Sequence, residues 1–451
     1  MVPPHSFKGL RLYSSILTLS LLLNPITAVK WISIPSVSVS EINGWKELPI
    51  VPGADLITDF PIEGTSATFP VYQSSGLDNE AITRAVIVSG AQARDHWSHF
   101  ITIENVLNAL AGNDSSFDPK TISILSPCFL DQADYESGAA NASNLYWSSS
   151  GWFTGHTAVG PEMITVDGDH EEEDEDDRDK VRKRDSQQVN SGATSISSFD
   201  VLDNIANHYM DKETYPNLQE IIFVGHSAAA QLLQRYAALR KPTDNDESIH
   251  FMIANPGTYL WLTSDRPVTV DSDNSSCSGI DDYKYGMSSS LVQYSNQDFA
   301  QIGRKGVVKR YRERNVHYAF GTADFGVGDY ACQAMTQGAT HLDRGMNFIM
   351  LLQSMVGGVP TTHTVDWIDG IGHDFEGMMD NEATSTRLFR NSSASSTGEQ
   401  PATTSVYITT ASASEYDGDD ENNSGRSVHA GWLILTCTIS TLSAVVGVFL
   451  L

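Results

Sequence analysis

Four apolar residues, Ile221-Ile222-Phe223-Val224, stand together, each β-branched or aromatic, and end at Gly225. That run predicts a short buried strand. From Gln231 to Leu239 the apolar residues recur at helical spacing. Between strand and helix lies Gly225-His226-Ser227-Ala228-Ala229, a small-x-Ser-x-small turn. Strand, sharp turn with a central serine, and helix form a nucleophile elbow, which lifts the Ser227 hydroxyl above the sheet edge. It also aims the Ala228 N–H, at the helix N-terminus, toward the oxyanion of an attacked carbonyl. Residues two before and two after the serine must be small. Gly225 satisfies this, and Ala229 stands where a second glycine is usual. Short matches of this kind arise by chance, so the flanking strand and helix carry the weight.

The same patterning recurs along the chain. Strands are predicted at Arg84–Ser89, Thr121–Leu125, His250–Ala254, Val316–Phe320 and His363–Trp367, and helices over 98–111, 197–209 and 343–356. Strands alternating with helices predict an α/β fold with a mostly parallel central sheet. Residues 65–72 read as edge strand, because Pro70 does not suit a central one. The loop Gly90-Ala91-Gln92 follows a central strand, where a second oxyanion N–H is supplied, so Ala91 and Gln92 join Ala228 as candidates. Trp147, Trp152 and Phe153 fit core packing better than an acyl pocket. Residues 257–300 read as a small cap insertion.

A serine needs a base within reach and an acid to orient that base. Asp324 follows the strand ending at Phe320, and His373 lies in a Gly-rich loop after the last strand. Both fall at strand C-terminal ends, the edge where Ser227 sits. Asp329 and Asp343 are rival acids, and 13 histidines make any single one weak evidence. The order Ser, Asp, His, each after its own strand, is the stronger signal. His226 reads as structural, since the position before the nucleophile points into the turn.

Composition sharpens this picture. The chain has 451 residues and a net charge of −28, with 56 acidic against 28 basic residues. A nucleic-acid partner is excluded, for want of a basic face. Residues 1–28 read as a signal peptide: Lys8 and Arg11, an apolar run from Ile16 to Leu23, then Ile26-Thr27-Ala28. Sequons at Asn113, Asn141, Asn274, Asn391 and Asn422 fit a glycoprotein of the secretory pathway. Of four cysteines, Cys277 and Cys332 are the expected disulfide, and Cys128 reads as a buried free thiol; sequence alone leaves other pairings open.

Residues 29–390 then form the catalytic domain, with a charged insert at about 166–190. Asp167–Asp179 holds ten acidic residues, and Lys183-Arg184 offers a dibasic cleavage site. Residues 391–430 read as a Ser/Thr/acidic stalk and 431–451 as an apolar tail. That tail is either a lipid-anchor (GPI) signal or one transmembrane helix, on the extracellular face of the plasma membrane or in the cell wall. No zinc spacing, phosphate loop or dinucleotide fingerprint is present, so neither metal nor cofactor is expected. Oligomeric state is not readable.

Gly225, His226, Ser227, Ala228 and Gln231 match the elbow Gly-His-Ser-Ala-Gly-Gly-Gln; Ala229 and Ala230 depart from it. Asn255-Pro256-Gly257-Thr258-Tyr259-Leu260, Asp281 to Gly286, and Gln337-Gly338 through Arg344-Gly345 match further segments. On these residues the chain resembles the secreted or surface-anchored α/β-hydrolases of fungi over about residues 80–380. The resemblance implies an α/β-hydrolase fold with Ser227 as nucleophile, Asp324 as acid and His373 as base. The expected activity is hydrolysis of a small-molecule or lipid carboxylic ester through an acyl-enzyme. The alternative is a catalytically inactive hydrolase fold serving as a surface or wall-binding protein, to which the double alanine and the long stalk point.

Overall fold

The computed structural model describes residues 31–40, 43–161, 195–269 and 277–401. The expectations for residues 1–28, the insert at 166–190, Asn274, Asn422, most of 391–430 and the tail 431–451 fall outside them. Asn113, Asn141 and Asn391 are exposed. Among the described residues, no helix is long and apolar enough to cross a membrane.

Eight strands form one sheet: β1 (Ala54–Pro61), β2 (Thr68–Ser74), β3 (Arg84–Val88), β4 (Ile122–Pro127), β5 (Glu220–His226), β6 (Ile249–Ala254), β7 (Asn315–Gly321) and β8 (His363–Ile368). Their order is β1-β2-β4-β3-β5-β6-β7-β8. The pairs β1/β2 and β2/β4 are antiparallel; the rest are parallel. Central strands are apolar on both faces because helices cover both. The period of two divides each strand between two cores. Ala85, Ile87, Ile221 and Phe223 pack on one side. Val86, Val88, Ile222 and Val224 pack on the other.

Among the described residues the α-helices are α1 (His96–Asn113), α2 (Gln132–Ser137), α3 (Ser198–Met210), α4 (Ala228–Leu239), α5 (Gln293–Glu313), α6 (Cys332–Met335), α7 (His341–Ser354), α8 (Phe375–Met379) and α9 (Glu382–Phe389). Helix α3 starts at a capping box: the Asp200 N–H donates to Ser197 Oγ, and the Ser197 N–H donates to Asp200 Oδ2. Residues of α3, α4 and α7 share the core of Ile87 and Phe223, whereas those of α1, α8 and α9 share that of Val88 and Val224.

One expectation is overturned. The strand carrying Pro70 is not at the edge: β2 lies between β1 and β4. The β1/β2 register shifts between Ile57 and Phe60, opposite Pro70, so the missing proline N–H falls where the ladder is already broken. On the other side Pro70 needs only its carbonyl, which accepts from the Cys128 N–H at 2.9 Å.

Trp147 and Trp152 are fully buried in the core, and Cys128 is a buried free thiol. Cys277 and Cys332 form a disulfide. In the stretch read as a cap, residues 257–269 and 277–292 are loops and turns, followed by the start of α5.

Candidate active site

Ser227 sits between β5 and α4 with φ 57° and ψ −117°. A non-glycine residue rarely adopts such backbone, and its cost is tolerated because the surroundings hold it. The Ser227 N–H donates to the Ala254 carbonyl at 3.0 Å, and the Gln231 N–H donates to the Ser227 carbonyl at 3.1 Å. At Gly225 an added Cβ would stand 2.5 Å from the backbone carbon and oxygen of Ala229, so only glycine fits. The crowded atoms there are backbone, not the Ala229 methyl. That is why alanine is accepted at 229.

The loop after β3 is anchored from several directions. The Gly90 N–H donates to His96 Nδ1 at 3.1 Å, while His96 Nε2 lies 3.2 Å from the Phe129 carbonyl. Arg94, at φ 59°, donates through Nε to Asp134 at 2.6 Å and pairs with Asp131 at 3.2 Å. Gln92 is thereby brought to the wall of a cavity that also holds Ser227 and Ala228. Ala91 is not among the lining residues; its carbonyl accepts from the Arg94 N–H.

Asp324 lies just past β7, with its side chain fully buried. His373 Nδ1 is 2.7 Å from its Oδ2, and His341 Nδ1 is 3.1 Å from its Oδ1. One carboxylate thus serves two imidazoles, one on each oxygen. Burial alone would raise this carboxyl, but the hydrogen bonds from His341 and His373 outweigh it and hold Asp324 well below the ordinary carboxylate range. The two rings stack with centroids 4.1 Å apart and planes 13° from parallel. His226 meets the His373 ring at 4.4 Å. Since His226 immediately precedes Ser227, His373 stands at the end of the strand that leads into Ser227. Burial, then the neighbouring His373, push His226 well below its usual value, so it stays neutral.

Asn255 stitches these loops together. At φ 45°, it accepts from the Gly321 N–H at 2.9 Å, and its amide nitrogen lies 3.4 Å from the Gly372 carbonyl. The loops that carry Asp324 and His373 are therefore tied to the end of β6. Neither rival acid contacts His373. Asp329 takes Lys284 at 3.2 Å and Tyr285 at 3.0 Å, and the Asp343 N–H joins the Thr340 cap of α7.

The cavity has a volume of about 250 Å³. Phe153, Gln231, Lys284, Tyr330 and His341 complete much of its wall. His373 is not among the lining residues; its side chain is one-third exposed. Sequence reasoning missed His341 and Lys284. The one available signal for His341 was Thr340, a residue suited to cap a helix beginning at 341 rather than 343.

The strand order, the antiparallel β2, and the serine elbow between β5 and α4 define the α/β-hydrolase fold. No family model matches the chain, and no curated protein does. Solved structures to which it is similar include the poly(3-hydroxybutyrate) depolymerase LpqC of Bordetella parapertussis, at 15% identity and TM-score 0.46 over 74% of this chain and 89% of that one. Poly(aspartic acid) hydrolase-1 from Sphingomonas sp. KT-1 matches at 16% identity and TM-score 0.43, over 75% and 97%. The siderophore hydrolase EstB from Aspergillus nidulans matches at 11% identity and TM-score 0.37, over 76% and 97%.

Proposed function

We propose that this protein is a serine hydrolase that cleaves carboxylic esters. Ser227 Oγ attacks the ester carbonyl carbon while His373 Nε2 takes its proton. Asp324 holds the imidazole by Nδ1 and stabilises the imidazolium that forms. Backbone N–H groups of Ala228 and of the Ala91-Gln92 loop receive the oxyanion. The intermediate collapses, the alcohol leaves with the proton from His373, and water then releases the acid by the same steps in reverse.

The observation that carries this reading is the 2.7 Å contact of His373 with Asp324, made beside a strained serine elbow. Its support includes the tilted ring contact of His373 with the residue just before Ser227, at 4.4 Å between centroids. A cavity of about 250 Å³ suits a short acyl group. Labelling with a fluorophosphonate probe tests the reading: wild type should label and S227A should not. Folded protein that resists the probe would favour the alternative, an inactive hydrolase fold that binds a surface or wall.

A further inference from the structure

The His341 side chain is 5% exposed and lines the cavity together with Ser227. Its Nδ1 faces the ionised Asp324, which can only accept, so Nδ1 carries the proton. In the neutral ring, Nε2 is then a bare acceptor. It has no hydrogen-bond partner among the described residues. It is not among the atoms sealed from solvent without a partner, so it is reachable from the cavity and free to take a donor from a ligand.

Two glycines of the cavity wall border that atom, and a side chain at either would crowd or cover it. A Cβ on Gly328 would meet His341 Nε2 before any other atom, far inside contact distance, and one on Gly257 would lie 3.8 Å from it. Gly328 has φ 65°, which also favours glycine. The wall is rigid there. The fully buried Arg344 donates to the carbonyls of Gly257, Val327, Asp329 and Gly338 at 2.6 to 2.9 Å.

Charge selects the kind of donor. His341 is the first residue of α7, at the positive end of that helix, and Lys284 lines the same cavity. The one carboxylate on the wall, Asp329, is already engaged by Lys284 and Tyr285. The wall offers an ammonium no unengaged carboxylate, whereas a neutral hydroxyl needs none.

We propose that His341 is a specificity residue whose Nε2 accepts a hydrogen bond from a hydroxyl of the substrate, so that the preferred substrates are esters of hydroxy acids. The inference rests on the ester-hydrolase reading and adds the substrate class. The hydroxyl lies within the reach of one small cavity from the Ser227 oxygen, a few bonds from the scissile carbonyl.

The test compares methyl butanoate with methyl 2-, 3- and 4-hydroxybutanoate by titration of released acid. In wild type, kcat/KM for at least one hydroxy ester should exceed that for the plain ester by about tenfold or more. In H341F that ratio should fall toward one, whatever the absolute rate. H341Q, which keeps an acceptor, should retain part of the preference. A merely structural role for His341 would lower both rates and leave the ratio. Wild-type ratios near one with intact probe labelling overturn the inference alone, as does a preference that survives in H341F. No turnover of any ester together with no labelling overturns the ester-hydrolase reading and this inference with it.

Discussion

The two ends of the parallel strands both carry buried histidines, in opposite circumstances. At the N-terminal ends, His250 of β6 and His317 of β7 stack, with Nδ1 and Nε2 2.9 Å apart, and His363 of β8 lies 3.2 Å from the Tyr311 carbonyl. Burial holds His250 down at about 4 and His363 at about 3, and pushes His317 well below its ordinary value. The carboxylates there are held by arginines: Glu220, 4.0 Å from His250 Nε2, pairs with Arg84 at 2.6 Å, and Asp366 of β8 is engaged by Arg387. At the C-terminal ends, His341 and His373 share an ionised carboxylate beside a cavity. Burial by itself makes an imidazole inert packing. An anionic partner and access to a ligand make it a reagent.

The sharpest way to break this comparison is to remove the anion. D324N should lower kcat/KM about 10⁴-fold, because an amide neither fixes the tautomer nor balances the imidazolium. H317F, at the other end of β7, should leave kcat/KM within about threefold, as expected of a distant independent site. Hydrolysis of a short p-nitrophenyl ester measures both. Comparable losses in the two variants would remove the distinction.

Reduction of Cys277–Cys332 should have the next largest effect. This crosslink joins residues 55 apart and ties α6 to the loop region that carries Lys284. Opening it should cost about 4 kcal/mol on chain-entropy grounds, seen as a lower urea midpoint with reductant.

The smallest effect concerns acid. A histidine with a lowered value when folded binds fewer protons than in the unfolded chain. Its stabilisation is complete above the unfolded value of about 6.5 and drains away as pH falls toward the folded value. For His363 and His250 the window runs from about 6.5 down to about 3 and about 4. Asp324 behaves otherwise: its lowered carboxyl keeps contributing until much more acid conditions. Unfolding should therefore become easier well above the carboxylate range. In H363F the loss between pH 7 and pH 4.5 should shrink by about 2 kcal/mol, by thermal or denaturant midpoints.

The elements that hold Ser227, Asp324 and His373 were legible because each follows a buried strand with a compact apolar run. A period of two and a local turn identify such a strand without tertiary information. The position of β2 was not legible. Pro70 argued for an edge, and only the register break in β1 explains its tolerance inside the sheet. His341 escaped because its meeting with Asp324 spans 17 residues and depends on where α7 begins. Lys284 escaped because no periodicity governs the path of residues 277–292. Side chains brought to a site by irregular loops leave little trace in local pattern, whereas those at strand ends do.

Arg344 behaves like a bound ion in the middle of this machinery. Its guanidinium gathers carbonyl oxygens from separate loops, much as a resident metal would, and is not among the residues that line the cavity. The segments at Gly257, Val327–Asp329 and Gly338 are therefore clasped as one piece and cannot be remodelled one at a time. Laboratory selection for altered acyl groups should accumulate its changes at Phe153, Lys284 and Tyr330, which border the same space but are not held by that clasp.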